Sequence, residues 1–279
     1  MQILVPLLVT LIVFAIGASI GSFLNVVIYR IPAGRSILWP PSHCPQCKHR
    51  LGNQENVPVL GWFMLKGRCK HCRTPISIRY PLIEALTGLL FVLVFWRIDL
   101  PQESYFSLQT LGYWTFFSWL LALSVIDLDT LTLPNVLTKS GLVLGLLFQA
   151  IVGFAMTGDF RLFVTGLMSG ILGAVVGIWL LDTISWTASL LLRKEAMGGG
   201  DAKLAAMMGA WLGWQNLLLA SFMACGIGAF LGGGAIAIGL LKRGQPMPFG
   251  PFLALGAMIA ALWGQDLIGA YLQIFFPIP

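Results

Sequence analysis

The sequence predicts an all-α polytopic membrane protein with about eight transmembrane helices and a small cytoplasmic zinc-knuckle domain between helices one and two. Apolar residues make up 57% of the 279 residues, charged residues make up 10%, and the mean hydropathy is +0.85. A soluble domain carries roughly 25% charged residues, so this chain lacks the polar surface that a water-soluble fold needs. The apolar residues also occur in runs of about 20, the length that crosses a bilayer core.

The first span is predicted at residues 3–28, and it is too long and lacks the basic start of a cleaved signal peptide. Residues 30–80 follow as the one long polar region, and they hold every histidine and all but one of the cysteines. A structureless connection of that length is unusual. We therefore interpret residues 30–80 as a small inserted domain.

The later spans are separated by polar or Gly-rich breaks. Their approximate bounds are 81–98, 108–126, 136–156, 162–192, 202–214, 217–241 and 249–275. The span at 202–214 is short and rich in Gly and Met. We accordingly divide the chain into a first transmembrane helix (1–29), the inserted domain (30–80), helices two and three (81–126) and a membrane core (127–279).

The distribution of Lys and Arg predicts the orientation. The net charge is +6, and the basic residues concentrate between Arg30 and Arg79. The positive-inside rule places such segments in the cytoplasm. With the N-terminus outside, only Arg97 and Arg161 lie on the far side. The same rule accounts for the basic balance, so no nucleic-acid partner is expected.

Two CxxC pairs predict a metal site in the inserted domain. They are Cys44-Pro-Gln-Cys47 and Cys69-Lys-His-Cys72, separated by a spacer typical of four-cysteine zinc ribbons. Four thiolates suit Zn²⁺, and four protein ligands leave no open position, so the site is expected to be structural. Two disulfides are the alternative. Histidines are possible substitute ligands, but we expect them to lie beside the site or exposed: His43, His49 and His71.

Asp127 and Asp201 form a second constellation. Asp127 ends the third span and is followed by Pro134-Asn135, whereas Asp201 follows three glycines. Carboxylates at a membrane boundary are costly and indicate function. Two aspartates within hydrogen-bonding reach do not both ionise easily, so one acts as base on a water and the other as acid on a scissile carbonyl. The alternative for each is a solvated helix end.

Other polar residues near these spans are weaker candidates. Asp129 is a rival to Asp127, but on a helix the two would point in different directions. Glu84 is expected to contact Arg79 or to cap the start of the second span. Lys203 either tunes the charge of Asp201 or extends its amine to the interface.

The ordered set of motifs resembles the type IV prepilin peptidases, which are GxGD-type membrane aspartic proteases of bacterial type IV pilus and type II secretion systems. The resemblance covers essentially the whole chain, and Asn135 is a departure because some members carry Asp there. A lone GxGD is a weak signal, whereas this ordered set is specific. The matching segments are Gly21-Ser-Phe-Leu-Asn25 with Arg30, the four cysteines, Arg79-Tyr-Pro-Leu-Ile-Glu84, Asp127 with Pro134-Asn135, Gly198-Gly-Gly-Asp201, Lys203-Leu204 and Pro248-Phe-Gly-Pro251.

The resemblance implies a bifunctional enzyme of the bacterial inner membrane, with a periplasmic N-terminus and with membrane lipid around it. Its first activity cleaves a short basic leader from type IV prepilins or type II secretion pseudopilins on the cytoplasmic side. Residues 127–279 are then the aspartic protease membrane core, with Asp127 and Asp201 as the catalytic residues. Its second activity methylates the new N-terminal amine from S-adenosylmethionine, whose binding residues no motif assigns. The resemblance also implies structural Zn²⁺ at the four cysteines.

Two alternatives from other functional classes are open. A transporter also has many spans and intramembrane acids, but here the acids lie at one edge and no paired broken-helix repeat occurs. A non-enzymatic assembly protein with a zinc-stabilised docking domain is the other. Small residues along spans four to seven either dock the apolar helix of a prepilin or pack helices together: Gly141, Gly145, Gly166, Gly170, Gly173, Gly209 and Gly213.

Overall fold

The computed structural model describes residues 4–52, 54–102, 106–193, 198–240, 242 and 247–276. Helices are the regular secondary structure of these residues, and the only β pairing in them is two isolated bridges. Seven helices are long and apolar enough to cross a membrane, which confirms the all-α multi-pass fold class. Part of the loop predicted before Gly198 (194–197) and most of the turn predicted at 242–248 lie outside the described residues.

The described residues form eight α-helices. They are α1 (Leu4–Arg30), α2 (Leu60–Met64), α3 (Arg79–Ile98), α4 (Leu108–Thr130), α5 (Asn135–Thr157), α6 (Phe160–Leu192), α7 (Gly199–Ala237) and α8 (Gly250–Phe275). All except the short α2 are candidate membrane spans. The chain divides into two compact units, residues 1–122 and 123–279.

In the N-terminal unit, glycines let α1 lie directly against α3. A methyl group on Gly17 would lie 2.8 Å from Gly88 Cα, and one on Gly21 would lie 2.7 Å from Glu84 Cα. Both distances are shorter than a real carbon–carbon contact, so these positions require glycine. The buried Asp99 then accepts the backbone N–H groups at the start of α4.

In the C-terminal unit, small residues bring α6 into backbone contact with α7. A methyl group on Gly173 would collide with the Gly209 carbonyl, and one on Gly177 would lie 2.5 Å from the Ala205 carbonyl oxygen. Gly145 of α5 faces the Trp211 side chain in the same way. Gly145, Gly173 and Gly209 therefore pack helices together, which is the second of the two roles that the sequence left open for them.

Helix α7 is broken at Gly213, where φ is 72° and ψ is 171°. Glycine adopts this backbone conformation far more readily than any other residue. Beside the break, the Gln149 side chain of α5 donates to the Trp211 carbonyl at 2.8 Å. The predicted spans 202–214 and 217–241 are thus the two arms of one bent helix.

Candidate active site and metal centre

Asp127 lies in the last turn of α4 and is 5% exposed. Leu131 then adopts a positive φ of 51° and its N–H donates to the Asp127 carbonyl at 2.9 Å, which ends the helix. The Asp127 side chain accepts the Gly250 N–H at 3.0 Å through Oδ2. Gly250 is the first residue of α8, so the partial positive charge of that helix N-terminus faces the carboxyl group.

Asp201 lies in the first turn of α7 and is 9% exposed. Its backbone N–H donates to the Gly198 carbonyl at 3.2 Å, so the three-glycine segment itself forms the start of the helix. The carboxyl group of Asp201 interacts electrostatically with that of Asp127. The C-terminal unit therefore brings together two nearly buried carboxyl groups from different helices, and such a pair holds one shared proton more readily than two negative charges.

The polar residues around the pair tie α5 to α7. Asn135 is the first residue of α5, after Pro134 as the N-cap, and its Oδ1 accepts the Lys203 amine at 2.9 Å. Lys203 is therefore held beside the start of α7 and does not simply extend to the interface. Gly200 faces the Leu133 side chain, whereas a methyl group on Gly198 would meet none of the described residues within 4 Å.

Asp129 lies exposed at the end of α4, two residues after the nearly buried Asp127. The helical twist points the two side chains in different directions, as their spacing in the sequence predicted. Of these two aspartates, only Asp127 faces the interior of the C-terminal unit.

The four sulfur atoms of the CxxC pairs form one compact group within 4.8 Å of one another. Cys44 Sγ lies 3.7 Å from Cys72 Sγ, and Cys47 Sγ lies 3.9 Å from Cys69 Sγ. Tetrahedral Zn²⁺ with a Zn–S distance of about 2.3 Å would separate its sulfur ligands by about 3.8 Å. None of these cysteines is in a disulfide. The arrangement fits a four-cysteine metal site and does not match the disulfide alternative.

The two knuckles have the same backbone hydrogen-bond pattern. In the first, the Cys44 N–H donates to the His49 carbonyl and the Lys48 N–H donates back to the Cys44 carbonyl, both at 2.9 Å. In the second, Cys69, Thr74 and Arg73 take the same relative positions. Lys48 and Arg73 both have a positive φ, which aims the following backbone back toward the sulfur atoms.

The thiols of the group differ in acidity. Hydrogen bonds with the Thr74 side chain, and then with its backbone, lower the pKa of Cys72 to about 6. A backbone hydrogen bond from His49 favours the thiolate of Cys47, but desolvation and the neighbouring cysteine sulfurs together raise its pKa to about 11. A divalent cation would offset this crowding of negative charge.

The histidines lie beside the sulfur group and outside it. The rings of His49 and His71 stack with their centroids 3.5 Å apart, and His43 Nδ1 contacts the Pro41 carbonyl at 2.9 Å. Among the described residues, the four cysteines are the only group of three or more metal-binding side chains.

The signature segment of α1 organises the contact with α3. The Asn25 side chain donates to the Tyr80 carbonyl at 3.2 Å, and the Ser22 side chain is hydrogen-bonded to Glu84. Glu84 also accepts the Val59 N–H at 2.6 Å. From the sequence we expected Glu84 to contact Arg79 or to cap the second span, whereas the contacts that the structure shows join α3 to α1 and to the inserted domain.

Comparison with known proteins identifies the family. A family model described as "Bacterial Peptidase A24 N-terminal domain" matches residues 15–98, and one described as "Type IV leader peptidase family" matches residues 114–233. The chain belongs to the type IV leader peptidase family. The family predicted from the ordered motifs is thereby confirmed, and the transporter and docking-protein alternatives are not supported.

Curated relatives match over nearly the whole chain. The "Prepilin leader peptidase/N-methyltransferase" of Aeromonas hydrophila is 39% identical over 97% of this chain and 96% of its own length. The protein of that name from Pseudomonas aeruginosa is 36% identical over 96% and 95%. The "Type 4 prepilin-like proteins leader peptide-processing enzyme" of Escherichia coli is 37% identical over 90% and 92%. No solved structure matches the chain significantly.

Proposed function

We propose that this protein is a bifunctional prepilin peptidase. It cleaves the leader from type IV prepilins or type II secretion pseudopilins. It then transfers a methyl group from S-adenosylmethionine to the new N-terminal amine. The observation that supports the peptidase most strongly is the pair of nearly buried, electrostatically interacting carboxyl groups of Asp127 and Asp201 in one unit. The second activity rests on the names of relatives that match nearly the whole chain.

The pair supplies both the base and the acid for peptide hydrolysis. One carboxylate takes a proton from water while the water oxygen bonds to the scissile carbonyl carbon, and the protonated partner gives its proton to the carbonyl oxygen. The C–N bond then breaks as the leaving nitrogen takes up a proton, which yields the leader carboxylate and a new amine. The hydrogen bond from Gly250 orients the Asp127 carboxyl group for this exchange.

Methylation of the new N-terminus follows from the chemistry of that product. The amine must first lose its proton, because only the neutral nitrogen has an available lone pair. That lone pair forms the N–CH₃ bond while the S–CH₃ bond breaks and its electron pair stays on sulfur. The nitrogen then loses a proton to solvent, and S-adenosylhomocysteine leaves.

We propose that Zn²⁺ at Cys44, Cys47, Cys69 and Cys72 stabilises the inserted domain. The spacing of the sulfur atoms supports a tetrahedral ion with no open position. The distribution of Lys and Arg supports a cytoplasmic location for this domain and a periplasmic N-terminus in the bacterial inner membrane. Leader cleavage then takes place on the cytoplasmic side of the membrane, whose lipid surrounds the spans.

The test of the peptidase is a matched set of aspartate variants. Membranes containing Asp127→Asn, Asp201→Asn or the control Asp129→Asn are incubated with a prepilin and S-adenosylmethionine, and mass spectrometry follows the mature N-terminus. Loss of a general acid or base should slow cleavage by about 10²- to 10⁴-fold in the first two variants. Asp129→Asn should cleave at the wild-type rate. Wild-type cleavage by either Asp127→Asn or Asp201→Asn would refute the proposal.

A further inference from the structure

A cavity of about 540 Å³ lies in the N-terminal unit, between α1 and the segment that carries the first cysteine pair. Its volume is within the range of small-molecule sites, which is about 300–1,000 Å³. The lining residues that matter here are Ser22, Phe23 and Arg30 on the α1 side, with Pro41, Arg50 and Asn56 opposite them. All of them belong to the N-terminal unit, whereas both aspartates belong to the other unit.

The cavity accounts for a motif that peptide hydrolysis leaves unexplained. In the segment Gly21-Ser-Phe-Leu-Asn25, Gly21 sets the close approach of α1 to α3 and Asn25 holds the Tyr80 carbonyl. With those two contacts made, Ser22 and Phe23 are left on the wall of the cavity, and Arg30 lines it at the end of the same helix. The motif therefore positions one face of α1 for a ligand.

Arg30 indicates the charge of that ligand. It is 9% exposed, and its side-chain hydrogen bond goes from Nη1 to the Ser36 carbonyl at 3.0 Å. Within the described part of the chain, no carboxylate lies within ion-pair distance of Arg30. A guanidinium has five N–H donors, and a buried charge is costly unless it is paired. Arg50 adds a second positive charge to the cavity, and none of the described residues that line it is acidic.

The first knuckle positions Arg50. His43 and Arg50 form an isolated antiparallel bridge on either side of Cys44 and Cys47. The Cys44 N–H and the His49 carbonyl close the same turn. A metal ion at the sulfur group would therefore fix the position of the segment from which Arg50 lines the cavity.

We propose that this cavity is the S-adenosylmethionine site, with Arg30 and Arg50 binding the methionyl carboxylate. This assignment rests on the methyltransferase part of the proposed function. Phe23 and Pro41 offer apolar surface for the adenine ring, while Ser22 and Asn56 offer polar groups for the hydroxyls and ring nitrogens of the nucleoside.

Carboxylates behind the lining make the cavity compatible with the cationic groups of this ligand. Glu84 is hydrogen-bonded to Ser22, and Glu55 accepts the Gly52 N–H at 2.9 Å. Ser22 and Gly52 both line the cavity. Glu55 also pairs with Lys70 at 4.0 Å. Glu84 is therefore the carboxylate that offsets the positive charge near the ammonium and sulfonium groups of S-adenosylmethionine, while the ligand's own carboxylate has two guanidinium partners.

The test compares S-adenosylmethionine with its decarboxylated form, which lacks only the carboxylate. Dissociation constants are measured on the full chain in phosphatidylcholine nanodiscs, for wild type, Arg30→Gln, Arg50→Gln and the control Arg35→Gln. Arg35 is exposed and does not line the cavity, and Arg50 is exposed enough that its replacement should leave the fold intact. Leader cleavage on the same samples reports folding.

Arg30→Gln and Arg50→Gln should each weaken binding of S-adenosylmethionine about tenfold or more, which is the usual effect of losing a charge-assisted hydrogen bond. They should leave binding of the decarboxylated form unchanged, and Arg35→Gln should match wild type with both ligands. Unchanged S-adenosylmethionine binding in Arg50→Gln would overturn the assignment. So would a wild type that binds both forms equally.

Two further outcomes separate this inference from its premises. If the wild type cleaves leaders but neither binds nor uses S-adenosylmethionine, the methyltransferase part of the proposed function is wrong and the site falls with it. The other outcome is that Arg50→Gln leaves S-adenosylmethionine binding intact but weakens the binding of phosphatidylglycerol added to the nanodiscs. The cavity then holds a lipid phosphate, and the assignment is wrong.

Discussion

The carboxyl group of Asp127 is held by a backbone N–H from a residue 123 positions further along the chain. A methyl group on Gly250 would lie 2.7 Å from Asp127 Oδ2, so any larger residue there must displace the carboxyl group. The close approach lets a helix N-terminus face the carboxyl group without an intervening side chain. Gly250 is therefore a positioning residue for the proposed acid–base pair.

We predict that Gly250→Ala lowers leader cleavage at least about tenfold, because the added methyl group displaces the Asp127 carboxyl group from its hydrogen bond. The matched control is Gly269→Ala in the same helix, where a methyl group meets nothing within 4 Å. Cleavage rates on equal amounts of folded protein check the prediction. Equal rates for Gly250→Ala and Gly269→Ala would show that this N–H has no role.

The cysteine thiols predict how metal binding depends on pH. Zn²⁺ binds thiolates, so it must displace the proton of Cys47, whose pKa is about 11, throughout the range below that value. Below about pH 6 it must displace the proton of Cys72 as well. The apparent affinity should therefore rise with pH, by about tenfold per pH unit from Cys47 alone, and more steeply below pH 6.

Competition with a chromogenic chelator between about pH 5 and pH 9 measures this dependence on the full chain. Cys225→Ser is the control, because Cys225 lies outside the sulfur group and its loss should leave the curve unchanged. An affinity that is flat or falls as pH rises would contradict a site made of thiolates.

At the residue scale, the sequence predicted which residues carry the chemistry better than it predicted which residues contact one another. Asp127 was preferred to Asp129 because its spacing matches the motif of the family that the sequence resembles, and their burial agrees with that choice. The group of four cysteines was predictable because ligand spacing within a short segment is a local property. The contacts of Gly250 and Arg30 were not predictable, since they depend on where distant or folded-back segments come to lie.

At the scale of elements, the broken helix α7 connects the proposed catalytic aspartate to the core of its unit. Its first arm begins beside Asp201 and packs through Gly209 on α6. The break at Gly213 then redirects the chain, and beside it the Gln149 side chain donates to the Trp211 carbonyl. Hydropathy predicted two spans here because the polar pair Gln215-Asn216 follows Trp214, and hydropathy does not show that helical backbone continues through that pair.

We predict that Gly213→Ala destabilises the protein by about 1–3 kcal/mol, which is the usual cost of holding a non-glycine residue in such a backbone region. The methyl group would also lie 2.9 Å from Ser169 Oγ. Gly226→Ala in the second arm has open space and helical backbone, so it should stabilise by about 0.5–1 kcal/mol. Thermal unfolding in detergent checks both the predicted destabilisation and the predicted stabilisation. An unfolding midpoint temperature for Gly213→Ala at or above that of wild type would contradict the strain argument.

At the scale of the whole molecule, the proposed chemistry is divided between the two units. The cysteine group and the cavity lie in residues 1–122, and the two aspartates lie in residues 123–279. Composition and hydropathy were enough to predict the fold class, because a bilayer imposes its requirement on every span. They carry no information on which unit holds which activity, since that depends on the contacts of a few polar residues.

This division predicts that metal removal separates the two activities. Removal of the metal by a chelator, or by the double variant Cys44→Ser/Cys47→Ser, should loosen the segment that carries Arg50. Methylation should then fall at least about tenfold, because the proposed contact of Arg50 with the methionyl carboxylate is lost. Leader cleavage should stay within about twofold of wild type, since both aspartates belong to the other unit and losses away from a reacting centre usually cost little. Asp201→Asn is the reciprocal control: it should slow cleavage of a prepilin by about 10²- to 10⁴-fold, yet it should still methylate a mature pilin supplied with its amine already exposed. Mass spectrometry of the pilin N-terminus distinguishes the uncleaved prepilin, the cleaved unmethylated pilin and the cleaved methylated pilin. A cleavage rate that falls together with the metal content would mean that the metal supports the peptidase as well.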